Sequence, residues 1–211
     1  MSQATTSKTA RRAAYSLAAG AAAGMTTSGA DAAITHVVLD EDVVGVEFID
    51  LNNDGLLDVN FTNKSYDPML GLQNYQGLSA PYFGWNVAGF NNGTSYVSAL
   101  AAGTVIDGSL VNGTSPFIGS LSFGSINPIA EFTNVTGAFI GYRFPSGGGS
   151  AYGWARVDID NAAGTFVIRD YAFESEPGVA IQAGEIPEPG TLGLLAAGAA
   201  GVAAMRRRRA A

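Results

Sequence analysis

Residues 137–173 read GAFIGYRFPSGGGSAYGWARVDIDNAAGTFVIRDYAF, and their periodicity decides the fold. Within YGWARVDI (152–159), Trp154, Arg156 and Asp158 alternate with Ala155, Val157 and Ile159. This is the period-two pattern of a strand with one buried face. GAFIGYRF (137–144) precedes it across a PSGGGSA loop whose glycines permit a tight reversal. TFVIRDYAF (165–173) returns beside it after a second turn. The stretch predicts an antiparallel hairpin with a third strand at its side.

Working outward, the same signature recurs. Short β-type runs fall at 34–39, 43–49, 56–61, 95–101 and 117–123, separated by turn signals such as Asn92-Gly93 and Asn112-Gly113. The chain has 28 glycines and 47% hydrophobic residues against 14% charged, a composition that suits many tight turns around a buried core. Many short strands and no credible helical run predict an all-β, antiparallel β-sandwich or jelly-roll-like domain. There are no cysteines, so disulfides, thiolate metal sites and cysteine nucleophiles are excluded.

Charge is distributed unevenly. Residues 33–185 contain sixteen acids and only Lys64, Arg143, Arg156 and Arg169, a balance of −12. Such a surface repels phosphate backbones and excludes nucleic acid as a partner. The other basic residues lie towards the two ends. Arg11-Arg12 is followed by the weakly apolar AAYSLAAGAAAGM (13–25) and the small-residue pattern Ala30-Asp31-Ala32. This reads as a signal peptide over 1–32, cut by a signal peptidase so that the mature chain begins at Ala33.

Residues 185–211, EIPEPGTLGLLAAGAAGVAAMRRRRAA, carry the opposite signal. Gly190 to Met205 is sixteen residues, about 24 Å as a helix against a hydrocarbon core of about 30 Å. Six alanines, four glycines and three leucines make it a weak span. Arg206, Arg207, Arg208 and Arg209 act as a cytoplasmic stop, which puts the preceding domain outside and agrees with the N-terminal signal. Pro187-Glu188-Pro189, a short hydrophobic helix and an arginine cluster together resemble the PEP-CTERM sorting signal. The segments IGYRF, YGWARVDI and DYAFES ahead of the motif are similar to the arrangement in that family. The resemblance implies a tail recognised and removed by an exosortase, a membrane protease-transpeptidase. It also implies delivery to the envelope or extracellular matrix of bacteria that make exopolysaccharide, after transient inner-membrane anchoring. The domain plan is therefore 1–32, 33–185 and 186–211.

One stretch carries metal-site chemistry. FIDLNNDGLLDVNF places Asp50, Asn52, Asp54 and Asp58 at relative positions 1, 3, 5 and 9, with Gly55 at 6. Those positions match the start of a Ca²⁺ loop, in which alternate oxygens converge and the Leu56 carbonyl adds a ligand. Phe61 stands where an EF-hand has its bidentate glutamate. The strand–loop–strand setting resembles DxDxDGxxD loops of FG-GAP type, and PEP-CTERM proteins often show a similar DxNxDG segment. Water or the run Asp40-Glu41-Asp42 would complete the ligand set. A bare hairpin is the competing reading, since Asn53-Asp54-Gly55 is itself a good turn.

Other candidates are thinner. His36 is the only histidine, so most hydrolase triads and zinc sites cannot be assembled. PYFGWN (81–86) offers Tyr82 and Trp85 for stacking on sugar rings, or equally for core packing. Sequons at Asn63, Asn92, Asn112 and Asn134 mark exposed turns. The sequence predicts a non-catalytic exported surface or matrix protein, stabilised by calcium. The alternative is a calcium-assisted carbohydrate-binding module.

Overall fold

A computed structural model describes residues 33–80, 85–111 and 118–187. The signal segment expected over 1–32, Tyr82, Glu188, Pro189, the apolar run 190–205 and Arg206, Arg207, Arg208 and Arg209 lie outside the described residues. Thirteen strands are described: β1 (Ile34–Asp42), β2 (Gly45–Ile49), β3 (Val59–Tyr66), β4 (Gln73–Ser79), β5 (Asn86–Val87), β6 (Gly89–Asn91), β7 (Ser95–Val97), β8 (Val105–Ile106), β9 (Ile118–Ser122), β10 (Val135–Ser146), β11 (Gly149–Asp160), β12 (Thr165–Glu174) and β13 (Ile181–Gln182). Among the described residues no helix is long and apolar enough to cross a membrane.

The strands form one sheet of order β1-β12-β11-β10-β5, a second of order β2-β3-β4-β9-β7-β6, and a two-stranded β13-β8 ribbon. The anticipated hairpin pairs Phe144 with Ala151 and Ile140 with Ala155, and β12 lies antiparallel beside β11. All pairings are antiparallel except a single parallel contact between β7 and β9. The fold is all-β and sandwich-like, because the two larger sheets share one core. Phe61, Val59, Leu78 and Leu121 of the second sheet meet Tyr142, Phe144, Val157, Phe166 and Ile168 of the first. Phe61 and Phe166 touch edge-to-face across the gap, with ring centroids 5.8 Å apart.

Sequence periodicity missed β4, although it lies between β3 and β9. QNYQGLS has no apolar alternation because amides fill its inward positions. Gln76 is fully buried and donates from Nε2 to Asn63 Oδ1 at 2.9 Å. Asn161 Nδ2 donates to Gln76 Oε1 at 2.6 Å and to the Asn74 carbonyl at 2.7 Å. These bonds replace hydrophobic contact and tie the second sheet to the β11–β12 turn. Each buried amide is satisfied, which makes a polar core strand tolerable. Asn63 is consequently no exposed turn: its Nδ2 donates to the Val43 and Gly164 carbonyls. The strand expected over 95–101 ends at Val97, with Leu100 forming an isolated antiparallel bridge to Phe139, and the one expected from residue 56 begins at Val59.

The first sheet has a second apolar cluster on its outer face, where Phe139, Tyr152 and Trp154 meet Ile106, Val111, Ile181 and Ala183. Farther along that face the side chains are charged. Asp170 is buried and accepts from Arg156 Nε and Nη2 at 2.7 and 2.8 Å, with His36 Nε2 at 3.0 Å on Oδ2. A register shift in β12 opposite Arg156 and Val157 places Arg169 on this face too, where it pairs with Asp158 and Asp40. His36 thus sits beside Trp154 as one partner of a carboxylate that already holds an arginine.

Candidate functional sites

The acidic loop spans the β2–β3 connection. Asn53 and Gly55 adopt left-handed backbone, with φ of 56° and 88°, which curls the loop back on itself. Asp50 accepts from the Asp54 N–H at 3.1 Å through Oδ1 and from the Gly55 N–H at 2.8 Å through Oδ2. Asn52 Oδ1 also accepts from the Asp54 N–H at 3.1 Å, and its Nδ2 donates to Asp54 Oδ2 at 3.1 Å. Asp54 Oδ1 accepts from the Leu56 N–H at 2.9 Å. Asp50, Asn52 and Asp54 therefore come together on one loop, with their oxygens turned onto its own amides.

Asp58 lies beneath them and is buried. Its Oδ2 accepts the Leu51 N–H at 2.8 Å, and its own N–H donates to the Ile49 carbonyl at 2.9 Å. Burial pushes its pKa up to about 6, opposed by the Leu51 N–H and reinforced by the negative charges of Asp54 and Asp50. Among the described residues, no three histidine, cysteine, aspartate or glutamate side chains gather closely enough to hold a metal ion. The donor types are those of a hard, oxygen-liganded cation, and each carboxylate oxygen keeps a lone pair beyond the one engaged by an amide. Asp40 does not turn towards this loop. It pairs with Arg169 at 3.1 Å.

Trp85 is not available to a sugar. It is buried and stacks on Tyr142, with centroids 5.8 Å apart and planes 14° from parallel. The core takes this side chain because burying an indole removes a large apolar area from water. Aromatic surface occurs elsewhere, on the outer face of the second sheet. Tyr66, Tyr75 and Phe123 pack mutually edge-to-face at 6.1, 6.1 and 5.1 Å. Two clefts of about 460 and 430 Å³ share Tyr75 and Phe123. Among the described residues the second cleft is lined also by Thr94, Ser95, Ser120 and Asn127 and by no charged side chain, whereas the first, which Tyr66 lines, includes Asp67. Sequence reasoning missed this trio because Tyr75 belongs to the unrecognised β4.

The third site is where the domain ends. β13 pairs with β8 through Ile181↔Ile106 and Gln182↔Val105. Beyond it the Ala183 N–H donates to the Thr104 carbonyl at 2.9 Å, and the Gly103 N–H donates to the Ala183 carbonyl at 2.8 Å. Gly184, at φ 83°, turns the chain over Phe139. Glu185 closes the turn, its N–H donating to the Gln182 carbonyl and its Oε2 accepting from the Gln182 N–H. Trp154 Nε1 then donates to the Glu185 carbonyl at 3.1 Å. From Ile186, which is half exposed, the chain makes no further bond to the domain among those described.

No curated protein and no solved structure matches the chain. One family model does, over residues 185–209. The chain carries a PEP-CTERM protein-sorting motif, and that motif begins on Glu185, the residue held by Trp154.

Proposed function

We propose that this chain is a non-catalytic exported protein of the cell envelope or extracellular matrix, delivered by an exosortase-type tail. In this reading Ca²⁺ bound by Asp50, Asn52, Asp54, the Leu56 carbonyl and Asp58 stabilises the β2–β3 end. The observation that carries the reading is the position of the motif: the described domain runs to Glu185, and the sorting motif starts there. A signal peptidase and an exosortase are the partners during export, and the body is the cargo. Replacing Arg206, Arg207, Arg208 and Arg209 by serine is expected to remove the cytoplasmic stop, so that unprocessed chain escapes the membrane fraction. Wild-type delivery and processing of that variant would sink the sorting reading.

The carbohydrate-binding alternative is favoured by one observation, the Tyr66–Tyr75–Phe123 trio, two of whose rings line a cleft with no charged side chain among the described residues, on an acidic domain. Aromatic faces with hydroxyl and amide neighbours suit a neutral polyhydroxylated ligand. Tyr66 is 45% exposed, so Tyr66→Ala should leave the fold intact and weaken retardation in a neutral-polysaccharide gel about tenfold. Tyr66 ends β3 and the acidic loop precedes its start, a separation of about 25 Å along eight residues. Retardation should therefore be the same with chelator as with Ca²⁺. Equal mobility of Tyr66→Ala and wild type would reject the alternative.

A further inference from the structure

We propose that residues 181–185 form a strap that must leave the domain before the sorting motif is processed, with Trp154 as the positioning residue that latches it. The inference rests on the sorting reading and adds a conformational step to it. Only Ile186, Pro187, Glu188 and Pro189 separate the latched Glu185 from Gly190, where the apolar run begins. Four extended residues span at most about 14 Å. A membrane protease must seat the motif within that span while a two-sheet body, its sheets about 10 Å apart, hangs directly from it. Releasing residues 181–185 adds about 17 Å of chain and more than doubles the reach.

The strap is built to be separable. It pairs through Ile181 and Gln182 with a strand that is itself only two residues long, the bonding continues only through Ala183 to Gly103 and Thr104, and among the described residues it has no other sheet neighbour. Gln182, Gly184 and Glu185 are exposed, so only Ile181 and Ala183 are buried with the outer cluster. Segments with few buried contacts open well before the domain unfolds. The Trp154 indole is the exception, because it reaches from mid-strand in β11 to hold the carbonyl of the motif's first residue. Its ring also packs edge-to-face on Phe139, at 5.3 Å, a contact that does not involve the N–H.

A reversible lock tests this in the full chain. Val105 and Gln182 are direct antiparallel partners, and Val105 is 52% exposed. Antiparallel partners lie about 4.5–5.5 Å apart at Cα, within disulfide range, and the chain has no cysteine to mispair. Val105→Cys/Gln182→Cys would be expressed in exosortase-bearing cells, and conversion of precursor to processed form followed by mass. Oxidised double variant is expected to convert at least tenfold more slowly than the same protein reduced with dithiothreitol, with both single variants at the wild-type rate. Trp154→Phe keeps the ring and loses the donor, and should convert about fivefold faster. Equal conversion of the oxidised and reduced double variant would overturn the strap. Absence of conversion in every form, wild type included, would instead overturn the sorting reading, and the strap with it.

Discussion

Gly153→Ala is expected to destabilise the domain by about 3 kcal/mol, lowering the melting temperature by about 10 °C. Gly153 lies in β11 with its missing side chain directed at the shared core. A Cβ there would stand 2.5 Å from Tyr142 Cε2 and 2.6 Å from the Ala172 carbonyl oxygen. Neither neighbour can yield. The Ala172 oxygen belongs to the backbone of β12, the neighbouring strand. Tyr142 is buried, stacked on Trp85, with its hydroxyl donating to the Trp154 and Ala172 carbonyls at 3.2 and 3.3 Å. Gly77→Ala is the informative control, since its Cβ would meet the Tyr75 ring, which lies at the surface and can swing out. Thermal melts of the two variants should differ severalfold in cost. A Gly153→Ala protein melting like wild type would mean that β10 and β11 do not pack as described.

The second large effect concerns Asp58. Its folded pKa of about 6 lies above that of an unfolded aspartate, so between roughly pH 4 and pH 6 the native state holds the proton more tightly. Stability from this group is complete below the unfolded pKa and is lost as pH rises through the folded value. The loss is about 2 kcal/mol once screening from the open side of the loop is allowed for, or about 6 °C. Asp58→Asn keeps an acceptor for the Leu51 N–H and removes the titration. In chelator, the wild type should fall relative to this variant as pH rises from 4 to 7. In the proposed calcium reading Ca²⁺ takes the place of the proton, so at pH 7 a hundredfold excess over Kd should raise the wild-type stability by about 2.7 kcal/mol. The gain should shrink towards pH 5 and be weakest in Asp58→Asn. Identical wild-type melts with Ca²⁺ and with chelator at pH 7 would remove calcium from the account.

Legibility in the sequence followed the physics of each element. β10, β11 and β12 could be read because β-type residues run through each and, in the Ala155–Ile159 half of β11, charged Arg156 and Asp158 alternate with buried neighbours; the outer apolar cluster around Phe139, Tyr152 and Trp154 carries no such alternation. β4 could not, because Asn74 and Gln76 face inward and are satisfied by Asn63 and Asn161, partners that no local pattern reveals. The acidic loop was legible as a donor set. Its oxygens nevertheless turn to loop amides, a choice that spacing alone does not fix. Trp85 was ambiguous for a general reason: an aromatic in a turn-rich stretch suits a surface or a core equally well until its partner, here Tyr142, is known. The sorting motif was legible because its three parts are contiguous. Its attachment to Trp154 was not, since that bond joins a side chain to a main-chain carbonyl 31 positions away.

In the proposed sorting reading the folded domain is separated from its tail at the motif beginning at Glu185. Intact mass of the protein recovered from the envelope of an exosortase-bearing host tests it most directly, because one spectrum reads both ends. The mature chain is expected to begin at Ala33 and to lack the apolar run and Arg206, Arg207, Arg208 and Arg209. In a host without the exosortase the tail should persist. A mature protein that retains every residue through Ala211 in both hosts would contradict the account.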